Sequence, residues 1–321
     1  MNHKMKILHI CAGWQKWNGA ANIARMIMDE QRREGHEVSF ATWAKVRELR
    51  AADEVWIHCG WLPCLWWTAL WGRNVRWMPE ACYDPVRLKY HGWKKWLVGP
   101  IERWCLRRCS KIVATCDAEA EWIRAYEPRV KSIEVTDIKR FFNLNPVNPV
   151  NPVKKDLHLL YLGRRHPLKG FSYLETALTT YYNKWSSAPS SLAPTTACAD
   201  NPSSNPSRKA ATYYNKCPTE FRVVSDAFGD ELERVWDWCD VLVLPTLSEN
   251  FGLVIAEALE RGKCVITTDG ASAWNHEINE THEKGVWSGY GGRLIYLKGY
   301  RDGTPEERVR LLKTAIEGVC K

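Results

Sequence analysis

Short apolar runs alternate with longer segments of helical periodicity along most of the chain. The runs are rich in leucine and β-branched residues and end at glycine, proline or polar residues, as buried strands do. They predict strands at 6–11, 36–42, 54–59, 75–78, 111–115, 130–135, 157–162, 220–225, 241–244 and 264–268. Helical patterns lie between many of them, and a further one covers 306–319 near the end of the chain. Strands that alternate with helices predict the α/β class.

Two stretches interrupt this alternation and suggest the domain organisation. Residues 145–153 form a threefold Asn-Pro-Val repeat, and proline at every third position favours a semi-stiff spacer over helix or sheet. Residues 181–217 are rich in Ser, Ala, Pro and Asn, which predicts a mobile low-complexity insert. The 321 residues are enough for two domains. We predict a first domain at 1–144, a linker at 145–153, a second domain at 154–303 and a terminal helix at 304–321 that returns to the first domain.

Composition narrows the class of protein only modestly. A formal charge of +8 favours anionic partners without naming one. The 12 cysteines show no metal-like Cys/His spacing, so we expect no metal and no cofactor, and reduced thiols in the cytosol. No signal peptide is apparent, and no apolar run reaches the roughly 18 residues of a membrane-spanning helix.

Residues 87–111 are strongly basic and rich in tryptophan, with Glu102 as the single acid. The basic residues are Arg87, Lys89, Lys94, Lys95, Arg103, Arg107, Arg108 and Lys111, and the apolar ones include Trp93, Trp96, Leu97, Trp104 and Leu106. This combination favours a helix that lies on an anionic membrane surface. The alternative is a solvated basic face over tryptophans packed in the core. Nucleic acid is not an expected partner, because no binding motif accompanies the charge.

Candidate residues in the first domain follow its predicted strands. No Gly-x-Gly-x-x-Gly follows the first strand, so a tight dinucleotide turn is not indicated, and Gly19 lies at the start of the first helix. Ligands of open α/β sheets bind beyond the carboxyl ends of strands, which makes His58, Glu80 and Asp84 acceptor-side candidates. For His58 a hydrogen-bonded core position is the simpler interpretation. For Glu80 and Gly19, structural and functional roles are equally open.

The most informative stretch is 241–262, which predicts a strand, a short loop and a helix that ends at Gly262. The polar residues 248–250 are expected to cap the helix. A strand that feeds a helix through a short loop presents backbone N–H groups and the positive end of the helix dipole, which suits a diphosphate. Glu249 and Glu257 are eight residues apart, about two turns at ~3.6 residues per turn, so we expect both to face the same side. Carboxylates at such a site suit the hydroxyls of a ribose and a sugar, and the stretch therefore suggests a nucleotide-sugar site.

A second basic loop precedes this stretch. Residues 163–170 follow a predicted strand, and their sequence is Gly-Arg-Arg-His-Pro-Leu-Lys-Gly. Arg164 or Arg165 offers a planar fork of donors to phosphate oxygens, and Lys169 offers a point charge. Residues 270–274 follow the strand at 264–268, and we expect them to form a wall of the sugar pocket.

Together these motifs resemble the Glu-x7-Glu signature and the Gly-Arg…Lys-Gly element of the retaining glycosyltransferases of family four. The resemblance implies the GT-B fold, in which two Rossmann-like domains face each other across a cleft. It also implies the roles of the site residues. Glu257 would bind the ribose, and Glu249 would contact the donor sugar. The sugar and phosphates would be supported by Asn250, Phe251, Gly252 and Leu253. The diphosphate would be held by Lys169 together with Arg164, or with Arg165 after a one-residue shift. Gly19 would contact the donor, and Glu80 would join Glu249 as a catalytic candidate near the reacting sugar.

The function implied is transfer of a sugar, with retention, from a nucleoside-diphosphate sugar to a glycan or lipid-linked acceptor. We expect a role in cell-envelope polysaccharide or lipopolysaccharide synthesis, in the cytoplasm or on the inner face of the plasma membrane, without a metal. Two alternatives stay open. One is a non-catalytic, membrane-associated glycan-binding protein on the same fold, and the other is a nucleotide-sugar epimerase.

Overall fold

The computed structural model describes residues 4–12, 19–58, 62–144, 157–185, 219–225, 227–277, 280–281, 286–290 and 293–319. The chain divides into two compact units, Met1–Phe141 and Phe142–Lys321. Each unit is built on one largely parallel sheet with helices, which confirms the predicted α/β class of two Rossmann-like domains. The predicted linker at 145–153 lies outside the described residues.

The first unit contains a six-stranded sheet in which every strand pair is parallel. Its strands are β1 (Lys6–Cys11), β2 (Glu37–Ala41), β3 (Glu54–His58), β4 (Val75–Met78), β5 (Lys111–Ala114) and β6 (Ile133–Val135), in the order β2-β1-β3-β4-β5-β6. Five of the six residues of β1 and all of β3 are buried. Continuous burial of this kind is expected for parallel strands covered on both faces.

The described residues of the first unit form six α-helices. They are α1 (Gly19–Arg33), α2 (Val46–Ala51), α3 (Leu62–Trp71), α4 (Pro85–Tyr90), α5 (Gly92–Arg108) and α6 (Asp117–Tyr126). One core cluster joins Trp77 of β4 to Leu65 of α3, Leu106 of α5 and Ile123 of α6. The basic stretch predicted as one surface helix therefore forms two helices, and α5 contributes to the core.

The described part of the second unit contains a sheet of seven strands. They are β7 (Leu157–Leu162), β8 (Thr219–Val224), β9 (Val241–Val243), β10 (Cys264–Thr268), β11 (Glu280–Thr281), β12 (Val286–Gly289) and β13 (Leu294–Leu297), in the order β11-β12-β13-β10-β9-β7-β8. The pairs from β13 to β8 are parallel, and β11 and β12 add an antiparallel edge. The predicted strands at 157–162 and 264–268 match their observed bounds.

The helices of the second unit are α7 (Phe171–Trp185), α8 (Asp230–Trp238), α9 (Leu253–Glu260) and α10 (Pro305–Val319). The first five residues of the insert predicted at 181–217 belong to α7, and the remainder lies outside the described residues. Tyr181 is buried, so the helix continues because its apolar side still faces the core. The terminal helix predicted at 304–321 is α10, and its Leu312 and Ile316 pack in the same core as Leu174 and Leu178 of α7.

None of the described helices combines the length and the apolarity needed to cross a bilayer. Within the described ranges, no group of three or more His, Cys, Asp or Glu side chains is arranged to hold a metal ion.

Candidate active site

Three neighbouring strands of the second unit, β7, β9 and β10, end at one edge of the sheet. The loop at 163–170 follows β7, the loop at 244–252 follows β9, and the turn at 269–271 follows β10. The carboxyl ends of parallel strands are where open α/β sheets bind ligands. The two predicted donor-binding motifs therefore meet at this edge, although about 80 residues separate them in the sequence.

The first two loops are joined through the backbone of Leu168. Its carbonyl accepts hydrogen bonds from the Leu247 N–H (2.8 Å) and the Thr246 hydroxyl (3.1 Å). Gly170 has φ +64°, and a Cβ built on it would lie 1.9 Å from the Pro245 carbonyl oxygen. Only glycine allows this approach, because any side chain would collide with backbone.

The turn after β10 fixes the loop at 244–252 from its other side. The Glu249 N–H donates to the Gly270 carbonyl at 2.8 Å, and Glu249 forms an isolated parallel bridge with Ala271. The Thr268 hydroxyl donates to the Thr246 carbonyl. The position of Glu249 is therefore set by the β10 turn. Its spacing from Glu257 along a helix, on which the sequence argument relied, does not determine it.

Trp274 anchors the turn that carries Asn250 and Gly252. Its indole N–H donates to the Phe251 carbonyl at 2.6 Å, and the two rings lie 5.3 Å apart. Both side chains are buried. Sequence reasoning expected 270–274 to form a pocket wall and missed this anchoring contact, because nothing in the local pattern links an indole to a backbone carbonyl 23 residues earlier.

Lys169 and Glu249 form an ion pair between the two motif loops. Their side chains are 19% and 15% exposed, so the pair is largely shielded but remains reachable from solvent. Glu249 Oε1 also accepts the Asn250 N–H at 3.1 Å. A shielded cation and carboxylate at the carboxyl edge of a sheet can respectively bind a phosphate oxygen and accept a hydrogen bond from a hydroxyl.

The two arginines of the first loop are exposed to solvent. The Tyr161 hydroxyl donates to the Arg164 carbonyl at 2.8 Å, and the Arg165 guanidinium lies 4.6 Å from the centre of the Phe171 ring. Burial raises the pKa of Tyr161, the Glu249 carboxylate raises it further, and Arg165 and Arg164 act in the opposite direction. The charges of both loops therefore converge around one buried phenol.

The start of α9 differs in detail from the prediction. Gly252 is the N-cap residue, in the left-handed conformation at φ +71°, and no side chain caps the helix. The expectation that residues 248–250 cap it is therefore wrong, because Glu249 and Asn250 belong to the preceding turn. No acidic residue lies in the first turn, so Leu253 begins a helix end whose dipole favours anions. Gly262, at φ +70°, follows the end of α9 as predicted.

Glu257 is half-buried on α9, one turn beyond the start of the helix. Burial raises its pKa, Arg261 lowers it, and Glu260 and Glu233 raise it. Arg261 pairs with Glu233 at 2.8 Å, so the Glu257 carboxyl has like charges nearby and a cation already engaged elsewhere. A ligand that donates hydrogen bonds to this carboxylate would compensate for the missing counter-charge.

The first-unit candidates occupy separate positions. Gly19 is exposed at the first residue of α1. Glu80 and Ala81, just after β4, have φ +53° and +58°, which is strained for residues other than glycine. Asp84 is buried, and its carboxylate caps α4 by accepting the Val86 N–H at 2.8 Å. Its observed role is therefore structural.

A buried carboxylate holds the strained turn. Glu119 accepts the Ala81 N–H at 2.5 Å and both the N–H and the hydroxyl of Thr115 at 2.8 Å. Burial raises the pKa of Glu119, and these hydrogen bonds oppose the increase. Sequence reasoning missed Glu119, because a glutamate in the first turn of a helix usually faces solvent.

His58 is a buried, hydrogen-bonded residue, as the simpler interpretation predicted. Its Nε2 lies 2.9 Å from His9 Nδ1, and His9 Nε2 lies 2.7 Å from Gln31 Oε1. Burial lowers the pKa of both histidines, that of His9 to about 4. The pair is therefore neutral at physiological pH.

Comparison with known proteins agrees with this arrangement. The family model described as "Glycosyl transferases group 1" matches residues 156–288, and that described as "Glycosyl transferase 4-like domain" matches residues 40–136. No curated protein sequence matches the chain significantly.

Several solved structures share the fold. Sucrose-phosphate synthase from Thermosynechococcus elongatus is 12% identical over 98% of this chain and 90% of its own, with a TM-score of 0.61. HepE from Anabaena, solved with UDP and glucose, is 16% identical over 98% and 90%, with a TM-score of 0.57. WaaG, a glycosyltransferase involved in lipopolysaccharide biosynthesis, is 12% identical over 98% and 92%, with a TM-score of 0.57. The two family models and the shared fold identify this chain as a glycosyltransferase of the GT-B class.

Proposed function

We propose that the protein transfers a sugar from a nucleoside-diphosphate sugar to a glycan or lipid-linked acceptor, with retention of anomeric configuration. The observation that carries the proposal is the ion pair between Lys169 and Glu249, which joins the two donor-binding motifs at one edge of the sheet. The HepE structures, one with UDP and glucose and one with UDP-glucose, support a nucleotide-sugar donor for the fold.

In this proposal, the loop at 163–170 and the start of α9 bind the diphosphate. Lys169 exchanges part of its contact with Glu249 for a phosphate oxygen, and Arg164 or Arg165 adds a second cation from the exposed side. The backbone of 250–253 supports the sugar and phosphates, because the Trp274 anchor holds that turn in place. Preorganised donors of this kind stabilise charge without reorganisation during the reaction.

Glu249 and Glu257 bind hydroxyl groups. Glu249 contacts the donor sugar as Lys169 turns toward the phosphate, and Glu257 accepts hydrogen bonds from the ribose. The raised pKa of Glu257 agrees with a carboxyl that lacks a full counter-charge before ligand binding.

In the transfer step, the bond between the anomeric carbon and the diphosphate oxygen breaks, and its electron pair leaves with the nucleoside diphosphate. The acceptor hydroxyl oxygen then bonds to the same face of that carbon, and its proton passes to the departing diphosphate oxygen. Departure of a charged leaving group requires cations beside it, which Lys169 and either Arg164 or Arg165 supply. Glu80 is the acceptor-side residue of the proposal, since its strained turn follows β4 at the carboxyl edge of the first sheet.

The proposed setting is the cytoplasm or the inner face of the plasma membrane, in cell-envelope polysaccharide or lipopolysaccharide synthesis. The likeness in fold to WaaG supports this setting, as do the exposed Trp93 and Trp96 and the exposed Lys89 and Lys94 of the segment 87–111.

The test combines a nucleotide screen with one substitution. Thermal shifts with uridine, guanosine and adenosine diphosphates should select one base, because a ligand at about 100 times its dissociation constant adds ~2.7 kcal/mol of stability. With the matching donor sugars and candidate acceptors, Lys169→Ala should reduce transfer at least about a hundredfold, equivalent to ~3 kcal/mol of transition-state stabilisation.

A matched control is Lys298→Ala, which removes an exposed lysine of the same unit outside the motif loops. Undiminished turnover in Lys169→Ala would contradict the site assignment. Absence of nucleotide release from every donor would favour the glycan-binding alternative, and epimerised donor in the absence of acceptor would favour the epimerase.

A further inference from the structure

One face of α5 is apolar and exposed to solvent. Trp93 is 71% exposed, Trp96 81%, Leu97 64% and Ile101 42%. Their spacing of three, four and eight residues from Trp93 places them along a single side of the helix. We call these four residues the apolar stripe. Contiguous exposed apolar surface of this kind marks an interaction site more often than isolated exposed residues do.

The opposite face of α5 holds the helix in place. Cys105 and Leu106 are buried in the core of the first unit, and Glu102 is buried beside them. The orientation of the helix is therefore fixed by packing, and the apolar stripe faces outward as a consequence. Side chains on a helix so anchored lose little freedom when they bind a surface.

Several of the basic residues in this segment are already engaged within the first unit. Lys95 pairs with Glu102 at 2.8 Å, Lys111 with Glu134 at 2.7 Å, and Arg107 with Glu127 at 3.6 Å. The sequence-based picture of eight cations on one membrane-facing surface is therefore wrong, because ion pairs direct part of the charge inward.

Two exposed lysines lie in the same segment as the apolar stripe. Lys89 lies on α4, and Lys94 lies on α5 with its Nζ 5.6 Å from the centre of the Trp93 ring. Tyr90, 48% exposed, lies next to Lys89 on α4. Tryptophan and tyrosine favour the water–lipid interface, and lysine extends its charge to the headgroups while its stem covers apolar surface.

We propose that the apolar stripe inserts into the interface of a lipid bilayer that contains anionic lipids, with Lys89 and Lys94 at the headgroups, and that apolar burial supplies most of the attachment. Burial of a large apolar side chain strengthens binding by about tenfold or more. A surface charge contributes about fivefold and is screened by salt.

Charge complementarity favours a bilayer over a second copy of the chain. Two copies that met through the stripe would bring Lys94 of each, which lies beside Trp93, near the same lysine of the other. Anionic headgroups would instead neutralise them. The attachment fits the lipid-linked acceptor proposed above, but it concerns binding alone, so its failure and the failure of sugar transfer are distinguishable.

The experiment measures sedimentation of the full chain with vesicles of phosphatidylcholine alone or mixed with phosphatidylglycerol, at low and high salt. The wild type should bind the mixed vesicles, and most of the binding should survive high salt. Trp93→Ser/Trp96→Ser should weaken partitioning about a hundredfold on both kinds of vesicle. Lys89→Gln/Lys94→Gln should weaken it at most about 25-fold, and only on the mixed vesicles.

The control is Trp43→Ser, which removes a tryptophan of 45% exposure from the loop after β2 and should bind like the wild type. All the substituted residues are exposed, and far-UV circular dichroism checks that each variant is folded. Wild-type partitioning by the tryptophan variant would overturn the proposal, as would binding that high salt abolishes. A dimer in solution that the tryptophan variant loses, without any vesicle binding, would assign the stripe to a second copy instead.

Discussion

Gly170→Ala tests whether the close approach of two loops builds the donor site. The substitution adds one methyl group between the loop at 163–170 and the loop at 244–252. A Cβ at this position would lie 1.9 Å from the Pro245 carbonyl oxygen and 3.1 Å from the Tyr300 hydroxyl. The backbone carbonyl cannot rotate away as a flexible side chain could, so the loops must separate.

The expected cost has two parts. A non-glycine residue in the left-handed conformation costs about 1–2 kcal/mol, and a methyl group forced into packed surroundings costs about 1–3 kcal/mol more. Gly299→Ala is the matched control, because Gly299 has φ +79° in the same unit but nothing within 4 Å of its Cβ position. The control should therefore show only the cost of the left-handed conformation.

Urea unfolding and nucleotide-induced thermal shift are the two readouts. Gly170→Ala should unfold at a lower urea concentration than Gly299→Ala, and it should lose most of the thermal shift produced by the selected nucleoside diphosphate. Gly299→Ala should keep that shift, since it does not separate the motif loops. If the two variants had equal stability and equal nucleotide response, the reasoning from loop contact to donor binding would be refuted.

Two further predictions concern the first unit. Burial lowers the pKa of His9 from 6.5 to about 4, so the unfolded chain binds this proton more tightly than the folded protein does. The stability present above pH 6.5 should therefore fall as the pH decreases toward about 4, by up to ~1.4 kcal/mol per pH unit. Urea midpoints across this range should decline less in His9→Gln than in the wild type, and an equal decline in both proteins would contradict the assignment. Glu119→Gln should destabilise the protein by about 2–3 kcal/mol, because the amide can accept fewer of the three hydrogen bonds that Glu119 receives. Adding Ala81→Gly to this variant should recover part of the lost stability in urea unfolding, since glycine tolerates φ +58°. If no stability were recovered, the turn at Ala81 would not be strained.

Much of the site could be predicted from residue types and spacing. The apolar run at 157–162 and the basic loop after it identify a strand followed by a phosphate-binding loop, because both features are local. The stretch at 241–262 likewise predicts its strand, its helix and the terminating Gly262. What spacing could not give was the position of Glu249. The chain leaves the strand at Val243 and does not become helical until Leu253, so helical periodicity does not apply to Glu249.

The sequence alone determined the elements and the chemistry available to them, since backbone propensity, apolar periodicity and charge act over a few residues. Only the tertiary structure decided which of those groups meet. It brought Lys169 to Glu249, set Trp274 against the Phe251 carbonyl, and placed Glu119 under the strained turn at Ala81. It also decided that the charges on α5 partly face inward while Trp93 and Trp96 face outward. Such pairings depend on strand order and on packing between distant segments, which no local pattern specifies.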